Sequence, residues 1–181
     1  TTGQMTVNGV IGGSSALSNL YLRATSRINL NGGAITATDS QEYRDPVLLG
    51  AAANLSVTNA EGAIYFDSTV DGAQSLAVNA PTGVFFDNVG AITPLASITA
   101  SGNVQTSNLS SITVNTSGNQ TYNGAFLTTT TPNTTFLSLA GDINVIGSLN
   151  MAGGTLKNTT FNVAGTNSVI SGNILDTGLA H

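Results

Sequence analysis

The chain reads as an all-β solenoid, and three observations lead there. Apolar residues fall in short runs of about five, each closed by Gly, Asn, Asp or Pro, and apolar and small polar residues tend to alternate within a run. No segment of helical period separates the runs, whose centres lie about eight to twelve residues apart. The chain also matches itself at a displacement of roughly 79 residues, which favours repetition over a single β-sandwich, the alternative architecture.

The stretch Gly62 to Gly102 shows the pattern most clearly. It holds the runs IYF, SLAV, VFF and LASI with turn residues between them. Alternation places Ile64, Phe66, Leu76, Val78, Leu95 and Ile98 on the buried side. Before this stretch come MTVNGVI, LYLRA, RINL, AITAT, PVLL and NLSVT. After it come NVQTS, SITVN, AFLTT, TFLSL, INVIGSL, TLKN, TFNVA and SVISGNIL. Each is long enough for a strand and too short for a stable helix.

The repeat superposes Gln41 and Tyr43 on Gln120 and Tyr122, Leu48 on Leu127, Asn54 on Asn133, and Gly62 and Ile64 on Gly141 and Ile143. A displacement one residue shorter carries Ile11-Gly12 onto Val89-Gly90. The 181 residues therefore form one solenoid segment of slightly more than two copies. Rungs of about 20 residues give four rungs per copy and about nine in all, with Gly62 and Gly141 at corresponding turns. Like charges stacked one strand spacing apart repel, which accounts for a charged fraction of only 7%.

Composition limits the function classes. Hydrophobic residues make up 40% of the chain, enough for a core, while Thr, Ser and Asn supply about a third and carry the solubility. Such a neutral polar surface suits an extracellular object. Four cations, Arg23, Arg27, Arg44 and Lys157, against a net charge of −5 cannot form the basic stripe that nucleic acid or an anionic membrane requires. There is no cysteine, hence no disulfide or thiolate metal site. The opening residues TTGQMTVNG have neither the basic segment nor the apolar core of a signal peptide. No apolar stretch approaches the ~20 residues of a membrane-spanning helix.

VDGAQSLAVNAPTGVFFDNVGAITPLASITASG, followed after a short gap by NTSGNQTYNGAFL, resembles the long repeats of filamentous-haemagglutinin-type adhesins, the bacterial exoproteins exported by two-partner secretion. The resemblance covers most of residues 33 to 150 and is compositional at either end. The first copy departs from the pattern at DSQEYRDPVLL, where the second has GNQTYNGAFL. The resemblance implies a right-handed parallel β-helix forming the shaft of an adhesin at the bacterial cell surface, and it names no ligand. A non-enzymatic mechanical role follows, with a neighbouring β-helix of the same chain or of another copy as partner, and host or matrix carbohydrate or protein beyond it. The alternatives are an end-to-end polymerising filament subunit and a polysaccharide-active β-helix enzyme.

Candidate sites are few. Asp39, Glu42, Arg44 and Asp45 form the one charge cluster, whose carboxylates suit a hard cation or a sugar. The plainer reading is a solvated loop with an ion pair worth under about 1 kcal/mol. The second copy favours the plainer reading, because Gly118, Thr121, Asn123 and Gly124 are uncharged there. No cofactor is expected. An enzyme of this architecture needs converging carboxylates, and Asp67 and Asp87 are one rung apart. No cation accompanies them in sequence, and the sole histidine, His181, is the last residue. Thr128 to Thr131 with Thr134 and Thr135 suggest an ice-binding ladder, against which no Thr-x-Thr recurs once per rung. Asn-x-Ser/Thr triplets at Asn54, Asn108, Asn115, Asn119, Asn133 and Asn158 are what chance gives in so Asn- and Ser/Thr-rich a chain.

Overall fold

The computed structural model describes residues 3–106, 111–128, 133–151 and 158–176. These residues form strands, turns and bends without a helix. Every strand pairing is parallel. Parallel ladders between sequential turns of the chain make this a parallel β-helix and exclude the β-sandwich, whose hairpins and Greek keys pair antiparallel.

The helix has three faces. In the lowest level β1 (Gln4–Val7) lies on the first face, Ile11 bridges on the second, and β2 (Leu17–Leu22) lies on the third. Above it are β3 (Arg27–Leu30) on the first face and β4 (Ala34–Tyr43), which turns the corner and serves both other faces. The third level is β5 (Val47–Leu49), β6 (Ala53–Val57) and β7 (Ala63–Phe66). The fourth is β8 (Val70–Asp71), β9 (Ser75–Asn79) and β10 (Gly83–Phe86). In the fifth, Val89 bridges its neighbours on the first face, followed by β11 (Ser97–Ser101) and β12 (Val104–Thr106). Then come β13 (Ser111–Thr116), β14 (Gln120–Asn123) and β15 (Phe126–Thr128). The seventh level is β16 (Asn133–Ser138), β17 (Ile143–Val145) and β18 (Leu149–Met151). The eighth is β19 (Asn158–Val163), β20 (Val169–Ile170) and β21 (Ile174–Asp176).

Eight levels make about seven turns, close to the nine rungs expected. The difference lies in the turn length. Successive levels are 19 residues apart at their shortest (Val47 above Ile28) and 25 at their longest (Phe161 above Phe136), longer on average than the assumed 20.

The alternation read from the sequence is the alternation of burial. Ile64, Phe66, Leu76, Val78, Leu95 and Ile98 all point inward and are at most 2% exposed. Each such side chain contributes roughly 1.5–3 kcal/mol by leaving water. Side chains also stack directly between levels. The rings of Tyr43, Phe66 and Phe86 follow one another inside the third face at 4.9 and 5.3 Å, close to the ~4.8 Å strand spacing.

Two expectations need correction. DSQEY, read as part of a charged loop, continues strand β4 through the corner. The other concerns the repeat. Gly62 leads into β7 on the third face, whereas Gly141 precedes β17 on the second. Gln41 likewise pairs with Leu20 and Ile64 on the third face, and Gln120 with Ile98 and Ile143 on the second. One copy therefore occupies three and two-thirds turns, not four.

Locally the two copies still agree. Ile11 and Val89 each bridge a strand of the level above, and each precedes a glycine of positive φ, 75° at Gly12 and 65° at Gly90. A Cβ at either glycine would run into a carbonyl oxygen of the next level, that of Thr36 or Asn115. The repeat thus conserves corners and excursions while stepping round the helix by one face.

Candidate functional site

The outer side of the third face gathers Glu42, Arg44, Asp67 and Asp87. Outward positions alternate with the buried ones, so Tyr21, Glu42, Tyr65 and Phe85 form one vertical row in register. One residue beyond the buried Tyr43, Phe66 and Phe86 stand Arg44, Asp67 and Asp87. Two rows, one aromatic and acidic and the other charged, thus lie side by side.

Within this patch Arg44 Nε and Glu42 Oε1 pair at 2.6 Å, with the Arg44 side chain half exposed. Asp67, one level above, lies close to the Glu42 carboxylate. Partial burial pushes the Asp67 carboxyl above its ordinary range, with the neighbouring charges of Glu42 and Asp87 adding to the effect and Arg44 opposing it. The expected neighbours Asp67 and Asp87 are thus placed together, and the sequence missed that Glu42 and Arg44 join them.

The other two predicted carboxylates turn elsewhere. Asp39 accepts from Asn59 Nδ2 at 2.8 Å and Ser18 Oγ at 3.3 Å, tying three levels at the corner. Asp45 Oδ2 accepts the backbone N–H of Ala24 at 2.8 Å. Asp39, Glu42 and Asp45 do not converge, and among the described residues no three His, Asp or Glu side chains are placed to hold a metal. The reason is the strand itself: β4 sends Glu42 outward on the third face while Asp39 sits at the corner before it.

What the patch offers chemically is one ion pair with further carboxylates, Asp67 and Asp87, beside it. Ligand stacking is restricted, because Tyr65 and Phe85 lie face to face at 4.6 Å and cover each other. The surface is a sheet face rather than a cleft.

The threonine group divides. Thr134 is buried, whereas Thr135 faces outward on the first face between Thr113 and Thr160. The rows beside it are Ser111 and Asn133 on one side and Asn115, Leu137 and Asn162 on the other, so a paired Thr-x-Thr array is not formed there. Residues 129–132, the Thr128 side chain and His181 lie outside the described residues.

Two buried polar groups escaped the sequence reading. Gln41 and Gln120 are fully buried, each accepting a hydrogen bond from the tyrosine two residues on, at 2.8 Å from Tyr43 Oη and 2.9 Å from Tyr122 Oη. Burial pushes both phenols above their ordinary range, so they stay protonated donors. Their signal was the Gln-x-Tyr match across the repeat.

Comparison with protein-family models, curated proteins and solved structures gives no match.

Proposed function

We propose that the chain is a structural shaft segment of an extracellular bacterial adhesin or surface fibre, related to the filamentous-haemagglutinin type. The observation that carries this reading is the stack formed by the described residues: parallel ladders around an apolar interior, with a largely neutral polar outside. Such a stack gains stability level by level and transmits load along its axis. The phrases shared with adhesin repeats supply the rest of the argument.

Its partner on this reading is more β-helix, of the same chain or of another copy. The eighth level supports that choice, because Ile170 and Ile174 continue the buried columns of Val145 and Leu149 and are nevertheless 37% and 58% exposed. Immunogold labelling of intact source cells should find the chain outside the envelope, and a signal only after permeabilisation would overturn the reading. Sedimentation tests the partner: association should rise with concentration and fall on Val169→Lys.

A further inference from the structure

The sequence holds three Asn-Gly pairs, Asn8-Gly9, Asn31-Gly32 and Asn123-Gly124. Each stands where a strand ends at a corner, after β1, after β3 and at the close of β14. Asparagine before glycine carries a latent reaction, attack of the glycine amide nitrogen on the asparagine Cγ, because glycine has no Cβ to block the approach. Asparagine is thermolabile in proteins for this kind of reason. The solenoid treats its three pairs differently.

Asn31-Gly32 is held at both reacting groups. The Gly32 N–H donates to Val7 O at 3.0 Å, and Asn31 Nδ2 donates to Asn8 Oδ1 at 3.1 Å. Gly32 is also buried. Asn8-Gly9 keeps one restraint, since Asn8 Oδ1 accepts that bond while the Gly9 N–H meets no partner among the described residues. Asn123-Gly124 has neither. Asn123 is exposed, and among the described residues no partner meets its side-chain amide or the Gly124 N–H. The ladder of the second face ends at this corner: Gly102 N–H reaches Asn123 O only at 3.3 Å, and beyond Gly124 the Ala125 N–H turns to Asn103 Oδ1. The glycine itself is required, because a Cβ at 124 would run into Gly102 O.

We propose that Asn123 is the deamidation site of the solenoid. Gly124 N forms a bond to Asn123 Cγ and gives its proton to water, while the side-chain nitrogen leaves as ammonia, taking a proton from water, and a succinimide closes. Water then opens the ring at either carbonyl to give aspartate or isoaspartate. The net change is one water taken up and one ammonia released, with no oxidant or cofactor. Either product puts a carboxylate on a corner whose neighbour in the ladder is the uncharged Ser101. Isoaspartate also lengthens the main chain beside Gly102 O, where the packing has no room for a Cβ. The reaction belongs to this corner and is independent of the shaft role.

The test follows the unmodified chain in mildly alkaline buffer below its melting transition, and in parallel in concentrated urea. Samples taken over days are digested at acid pH and read by mass spectrometry, with isoaspartate distinguished from aspartate by electron-transfer fragmentation. At Asn31 two hydrogen bonds must open before reaction, so Asn123 should convert at least about tenfold faster than Asn31 in the folded chain. In urea those bonds are gone, and the two sites should convert at similar rates. Equal rates in the folded chain, a faster Asn31, or a difference that persists unchanged in urea would overturn the proposal.

Discussion

The Gln-x-Tyr element occurs twice, and the two copies differ in instructive ways. In both, the glutamine amide donates to a carbonyl six residues earlier, that of Ile35 at 3.0 Å or of Val114 at 3.1 Å. In both it also donates to a strand of the level above, Ser56 O or Leu137 O, each at 2.8 Å. The copies sit on different faces and in different aromatic surroundings. Tyr43 stacks on Phe66 at an interplanar angle of 14°, whereas Tyr122 meets Phe126 edge-on at 87°. The corners differ too: Asp39 and Asn59 pair in the first copy, while Thr116 and Ser138 both donate to Gly118 O in the second. What is kept is the junction of two strands across a corner. The glutamine joins the carbonyls of two consecutive levels from inside, and the face it occupies is immaterial.

Substitutions of both copies test that equivalence. The largest effects belong to Ile64 and Ile143, which stand directly above Gln41 and Gln120. Ile64→Asp and Ile143→Asp should each cost about 3–5 kcal/mol, since each buries an unpaired charge. Urea denaturation measures this, and a variant that melts like the parent would place that isoleucine at the surface. Gln41→Leu and Gln120→Leu come next, at about 1–3 kcal/mol each, because carbonyls and a phenol lose partners inside the core. Gln120 should be the costlier, having an added bond to Thr116 Oγ1 at 3.2 Å; equal costs would show that bond to be idle. Tyr43→Phe and Tyr122→Phe should each cost about 1 kcal/mol, the value of one buried hydrogen bond.

The smallest effect separates the copies. Asp67 has Ile146 as its counterpart, so a titrating group stands in the first copy where the second has none. Because its pKa is raised, the folded state holds the proton more tightly than the unfolded one. The stability it contributes is full below the ordinary carboxylate range and is lost as pH rises through the raised value. Asp67→Asn should remove that loss, raising stability on the alkaline side relative to the acid side by under about 1 kcal/mol, as for exposed charges, which urea denaturation at several pH values measures. An unchanged pH profile would show Asp67 to be uncoupled from Glu42.

Much of the architecture was legible because alternation reports directly on burial. Ile64 and Phe66 are inward for the same reason that Tyr65 is outward, and no tertiary information is needed to say so. Phase was not legible. Aligning Gln41 with Gln120 detects a corner, and a corner looks the same on each of the three faces. Gln120–Asn123 was passed over as a strand because QTYN lacks apolar residues; its inward side is filled by an amide and a phenol that satisfy each other. The charged cluster misled differently. Asp39, Glu42 and Asp45 are close in sequence, but a strand rounding a corner separates their side chains. Glu42 and Asp67 are far apart in sequence and are joined by stacking.

The repeat length of three and two-thirds turns has a mechanical consequence. In a longer array of such copies, each would present its features rotated by a third of a revolution from the last, and three copies would restore the starting orientation. Any side chain carried once per copy would then trace a winding path about the rod instead of a stripe along it. A rod with its irregularities wound evenly about the axis has no preferred direction of bending, whereas a whole-number repeat would line up every weak corner on one edge.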